Sequence, residues 1–203
     1  MIQLAENDKN ILKEVGSIGM GHASTALAQL LNTKINISLP EIKLIKIQDI
    51  SNFFPEGEIL LGVVLKVLGD INGKIFYLFK KAEAYKLIDL IHNKNPSESL
   101  TEEMKVSIIK EVSNIMSGSY LNALSKFISL TLLPSIPHLA MDTAASIFDL
   151  ASMSDEETTS LILIQSKLSM QDTDYSILGS MVLELRQDQL THLMESVKKK
   201  YSP

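Results

Sequence analysis

Four spaced residues occur twice in this chain, related by one constant offset of 97 positions. The clearer set is Ser107, Glu111, Asn114 and Pro137, and the other is Asn10, Glu14, Ser17 and Pro40. Gly21 and Gly118 share the offset. A repeat on this scale constrains the fold more than any local propensity, because a duplicated unit folds into two similar halves. The copies are unequal, since the carboxamide at Asn114 is a hydroxyl at Ser17. One site is intact and the other altered.

Hydrophobic periodicity predicts a helix over 6–32, with Ile11, Leu12, Val15, Ile18, Ala23, Ala26 and Leu30 on one broad face. Alternation follows through Ile35, Ile37 and Leu39 and, after Pro40, through Ile42, Leu44 and Ile47. A β-rich run at 58–68, a Gly69-Asp70-Ile71-Asn72-Gly73 turn and a run at 74–79 predict a hairpin. A helix over 81–92 closes the first half, and 93–97 is the internal boundary. Ser99 with Glu102 has the form of a capping box opening a helix to about residue 127. A strand near 128–136, a hairpin over 158–185 and a helix over 187–199 complete the second half. The segment 138–152 has no full counterpart, and Met141, Ala144, Ala145, Ile147 and Phe148 predict a short extra helix there.

The expected fold class is therefore α/β (α+β), with two pseudo-symmetric α-β-β-β-α halves at 1–93 and 100–203. They are expected to share one largely antiparallel sheet flanked by helices, in a single domain over 1–203. Each half alone, about 95 residues, would own a thin core.

Composition narrows the function classes. Nineteen Lys and Arg against 24 Asp and Glu give a net charge of −5, which leaves no basic footprint for nucleic acid. The one basic run, Lys198 to Lys200, reads as a solvated helix end. No apolar run approaches the ~20 residues that span a bilayer, so no membrane insertion is expected. No signal-peptide pattern opens the sequence and cysteine is absent, and the expected location is cytoplasmic. His22, His92, His138 and His192 lack ligand spacing, so no metal site is expected. Gly16, Gly19 and Gly21 lack the strand-then-helix context of a phosphate loop, and Gly19 is better used for close helix packing. Most methionines read as core filler, with Met141 and Met153 placed to line a partner groove.

The repeated stripe carries the chemistry. With Ser107 at zero on a helical wheel, Glu111 lies at about +40°, Asn114 at about −20° and Gly118 at about +20°. Ile109, Val112, Met116 and Ala123 fall on the opposite side, so the polar triplet faces outward. Gly118 leaves a gap where another surface could approach the backbone. A solvated helix face would account for one such stripe alone. Its recurrence at the same angles in both halves is harder to explain that way. A carboxylate and a carboxamide are poor tools for covalent catalysis, but they suit phosphoryl transfer to water, which depends on positioning and electrostatics. The carboxamide can hold water through both donor and acceptor, and the Glu could anchor a partner's lysine.

At these residues the chain resembles the CheC/CheX/FliY family of chemotaxis phosphatases. The family pattern is Asp or Ser, three residues, Glu, two residues, Asn, twenty-two residues, Pro; Ser107, Glu111, Asn114 and Pro137 match it throughout. The block from Leu12 to Ala23 resembles the family's first site, with Ser17 where Asn would stand and Asn10 in place of Asp or Ser. Two sites in one chain of this length are most similar to the family's CheC members. FliY members are expected to carry a flagellar-switch domain that has no counterpart here. The resemblance implies a phosphatase acting on the phospho-aspartate of the response regulator CheY, with Mg²⁺ carried by the regulator and no cofactor of its own. It implies that Asn114 orients the attacking water and that Glu111 pairs with the regulator's lysine. Ser107, Gly118 and Pro137 would support them, and the first site (Asn10, Glu14, Ser17, Gly21, Pro40) would be impaired. It also implies a second partner, the receptor deamidase CheD, expected on the insert at Asp149 and Phe148. The alternative is a non-catalytic module that only binds CheY or CheD.

Overall fold

A computed structural model describes residues 6–92, 100–151, 159–170 and 176–201 of the chain. Seven strands form one sheet: β1 (Ile35–Lys46), β2 (Leu60–Gly69), β3 (Gly73–Lys80), β4 (Leu132–Pro134), β5 (His138–Asp142), β6 (Thr159–Met170) and β7 (Ser176–Arg186). Their order is β1-β6-β7-β3-β2-β4, with β5 also on β2, and every pairing is antiparallel. The first strand of each half thus lies against the other half's hairpin, and β3 meets β7 at the centre.

Side chains alternate across this sheet, and both faces are covered. On one face Val63, Leu65, Ile75, Tyr77, Ile162, Ile164, Met181 and Leu183 pack beneath α1 (Glu6–Leu31), α2 (Lys81–His92), α3 (Glu102–Ile128) and α5 (Gln187–Tyr201). On the other, Leu60, Phe76, Leu78, Leu161, Leu163 and Val182 are covered by a 3-10 segment, Ile47–Phe53, and by α4 (Ala144–Ala151).

Both repeated prolines fall at interruptions of edge strands. The register of β1 against β6 shifts between Ser38 and Glu41, around Pro40, and Pro137 lies in the break between β4 and β5. Proline has no N–H to give a ladder, so edges and bulges are where a strand tolerates it. In the second break Ser135 stands in for the ladder, its hydroxyl accepting from Lys66 N at 2.9 Å and its own N–H donating to Lys66 O at 2.9 Å.

Four sequence expectations need correction. Residues 138–142 are strand, and the extra helix begins only at Ala144. It also has a counterpart, because the 3-10 segment sits at the 97-residue offset, and Ile50 and Ile147 are both buried in one cluster. The cap of α3 is Thr101, whose side chain accepts from Met104 N at 3.3 Å, while Ser99 lies outside the described residues. The strand expected over 128–136 shrinks to Leu132–Pro134, because α3 runs to Ile128 and closes on Ser129 in a left-handed conformation.

Helices α1 and α3 pack side by side at Gly19. A Cβ added there would lie 2.4 Å from Tyr120 Cδ2, so glycine admits the ring. Tyr120 is buried, and burial pushes its phenol up to about 12. A Cβ on Gly21, two residues on, would meet nothing within 4 Å. Gly21→Ala should therefore raise stability by about 0.5–1 kcal/mol through helix propensity. Gly19→Ala should lower it, because the clash of about 1–3 kcal/mol outweighs that gain. Thermal denaturation of the two variants checks the contrast; a Gly19→Ala midpoint at or above the parent's would mean that Tyr120 yields.

Candidate functional site

Helix α3 is a rigid platform. Thr101 caps it, Glu102 and Glu103 occupy its first turn and Lys126 its last, each complementing the helix dipole. Ile109, Val112, Met116 and Ala123 are buried as the wheel predicts. Ser117 Oγ donates to the buried Tyr77 hydroxyl at 3.2 Å, tying the helix to the sheet. Burial raises the Tyr77 phenol above its ordinary range, with the Ser117 hydrogen bond opposing the shift.

The outward face carries Ser107, Glu111 and Asn114, all exposed, with Gly118 half-buried one turn on. Among the described residues, neither Glu111 nor Asn114 has a side-chain hydrogen bond or ion pair. Three residues apart on a helix, their Cβ atoms are about 5–6 Å from each other. A Cβ on Gly118 would meet nothing within 4 Å, so bare backbone adjoins the pair. Carboxylate, carboxamide and open backbone therefore form one accessible patch.

The first helix presents Asn10, Glu14, Ser17 and Gly21, also exposed, from the same helical layer. Its geometry differs at the decisive residue. Ser17 Oγ donates to Lys13 O in its own helix at 2.7 Å. Pro40 lies in β1, and its side chain is outside the described residues.

The profile of the CheC-like family matches residues 8–44 and 104–139, which hold both stripes and both prolines. Over 143 residues the chain is 37% identical to the CheY-P phosphatase CheC of Bacillus subtilis, an alignment covering 68% of each protein. The chain belongs to the CheC-like family. It is also 26% identical over 197 residues to the flagellar motor switch phosphatase FliY of Bacillus subtilis, covering 95% of this chain and 51% of that one. This CheC-like chain thus spans about half the length of that relative. The crystal structure of Thermotoga maritima FliY superposes with a TM-score of 0.78 at 20% identity, over 98% of this chain and all of that one, which shows a shared fold. Both named relatives are phosphatases, and the family is one of chemotaxis phosphatases.

Other residues of the CheC-like chain fall as follows. On α4, Asp149 is exposed, but Phe148 is 1% exposed and stacks on Phe76 with ring centroids 4.1 Å apart. Phe148 is core, which removes it from any surface that a partner could touch; Met141, 51% exposed on β5, is an accessible apolar side chain of the insert. Met153 lies outside the described residues. Among the described residues no three His, Cys, Asp or Glu side chains gather as metal ligands, and no helix is long and apolar enough to cross a membrane. The 97-residue offset also relates Lys13 to Lys110 and Val15 to Val112, and it sets Thr25 opposite Asn122, a hydroxyl against a carboxamide. The signal lay in the sequence, where each glutamate is preceded by lysine and followed by valine.

Proposed function

We propose that this chain dephosphorylates CheY, with Asn114 orienting the attacking water and Glu111 docking the regulator's active-site lysine. One observation carries the reading: an exposed carboxylate and carboxamide, both without partners among the described residues, sit three residues apart on one helix beside the open backbone of Gly118. The phosphatase names of its relatives support the same class. Water oxygen attacks phosphorus as the bond to the aspartate oxygen breaks, the carboxylate departs as an anion, and the phosphate keeps the hydroxyl and takes the remaining proton. The regulator supplies electrophile, leaving group and Mg²⁺, so this chain need only position water and partner. Ser107, Gly118 and Pro137 are support: a small neighbour, a close-approach point and an edge break. We also take the 97-residue offset as an internal duplication within one domain, and the cytoplasm as the place where such a substrate is met.

The first face is read as an altered copy that docks CheY through Glu14 and contributes little turnover. Its serine hydroxyl is already donated to Lys13 O, and a hydroxyl lacks the paired donor and acceptor of a carboxamide. CheD is assigned to the exposed side of α4, with Asp149 as its charged contact.

Phosphate release from phosphorylated CheY with Mg²⁺ tests the central assignment. Asn114→Ala should fold normally and lose about 100-fold in rate, the scale of a misplaced reactant. A variant within twofold of the parent would remove Asn114 from the role. Glu111→Ala should also be inactive, but its deficit should vary with ionic strength because a charge-assisted contact is lost, whereas the Asn114 deficit should not. Salt curves of identical shape would argue against separate roles.

Ser17→Asn should raise turnover and restore part of it in the Asn114→Ala background. No recovery in the double variant would show that the first face has diverged at more than one position. For the second partner, Asp149→Lys should weaken CheD binding while basal phosphatase activity holds; unchanged CheD affinity would place that contact elsewhere.

A further inference from the structure

The exposed stripe of α3 does not end at Gly118. Asn122 is exposed on the same helix and, among the described residues, its carboxamide has no hydrogen-bond partner. Around the axis it lies about 20° from Glu111 and about 40° from Gly118, and about 12 Å along the axis from Asn114. Between Asn114 and Asn122 the surface is the open backbone of Gly118. The equivalent side chain of the first helix behaves differently, for Thr25 Oγ1 donates to Gly21 O at 3.0 Å. At both places where α3 carries an uncommitted carboxamide, α1 carries a hydroxyl turned back on its own helix.

An exposed asparagine gains a helix interior nothing. It ranks below alanine there because its side chain competes for backbone groups. A partner seated over Glu111 and Asn114 would cover about 800 Å² on this side, a patch of about 16 Å radius, so Asn122 falls inside that footprint. Its amide can donate and accept at once, which suits a backbone amide or a polar side chain of the partner rather than a lone charge.

We propose that Asn122 is a docking residue for the phosphorylated regulator, holding the partner on the far side of Gly118 so that its phosphoryl group lies over Asn114. The proposal rests on the phosphatase reading of α3. Asn122 touches the partner's surface and not the reacting atoms, so its loss should weaken binding and leave the chemical step alone.

Steady-state kinetics on phosphorylated CheY and direct titration of the same regulator test this together, with Asn122→Ala and Asn122→Thr, the latter reproducing the first helix. The expected result is about a fivefold rise in KM and in Kd for both variants, the scale of one interfacial hydrogen bond, with kcat within twofold of the parent. Thermal midpoints should be equal or slightly higher, whereas a purely structural role would lower them. KM and Kd both within 1.5-fold of the parent would overturn the assignment, as would a fall in kcat alone. These failures differ from failure of the phosphatase reading, in which Asn114→Ala and Glu111→Ala turn over as fast as the parent. If the chain only binds CheY, the titration still decides the role of Asn122.

Discussion

The ring of Tyr120 occupies the space in which any other residue at position 19 would carry its Cβ. An aromatic ring brings about 150–250 Å² of surface into a core, and a glycine opposite lets it do so without separating the helices. That approach fixes α1 against α3. The Ser117–Tyr77 hydrogen bond then fixes α3 against the sheet. With its inner side held in this way, α3 is positioned without any contribution from Glu111, Asn114 or Asn122. Among the described residues, these three side chains have no intramolecular partner.

The sheet supplies the frame for this packing. Each half lends its first strand to the other half's hairpin, so neither set of strands is complete without the other. The two prolines belong to that arrangement. Their constant distance from the glutamates looks like part of a site pattern, yet both lie where an edge strand is broken, at the β1 shift and in the gap between β4 and β5. Proline serves an edge because it removes a donor that would otherwise invite another strand. The spacing from glutamate to proline therefore records the length of a helix and its return strand, while the spacing from glutamate to asparagine, on the proposed reading, records a site.

Most of the architecture was legible because period separates helix from strand, and the stripe was legible because the repeat placed it at one angle twice. What stayed hidden had no distinct local signal. Phe148 lies at helical spacing whether it faces a partner or the core, and only the stacking on Phe76 decides. Ser99 and Thr101 are both acceptable caps by residue type, and the structure shows Thr101 in that role, its side chain accepting from Met104 N. The end of α3 carried no glycine, since Ser129 takes the left-handed position at φ 58°, and so the following strand was expected too early. The counterpart of α4 was missed because a 3-10 segment holds few residues in any regular period, although Ile50 and Ile147 share the offset.

The asymmetry of the two faces follows from a small difference in side-chain reach. A serine hydroxyl in a helix lies within range of the carbonyl four residues back, and Ser17 takes that bond at 2.7 Å, as Thr25 does with Gly21. To hold a water for a docked partner, Ser17 would first give up a bond worth about 1 kcal/mol and would still lack a second polar atom. Asn114 has no such bond to break, and its amide stands farther from the helix. On the proposed reading, the same backbone then presents one face ready for its partner and one already satisfied by itself. On that reading unequal activity needs no change of fold, since the exchange of a carboxamide for a hydroxyl at position 17 already removes the paired donor and acceptor.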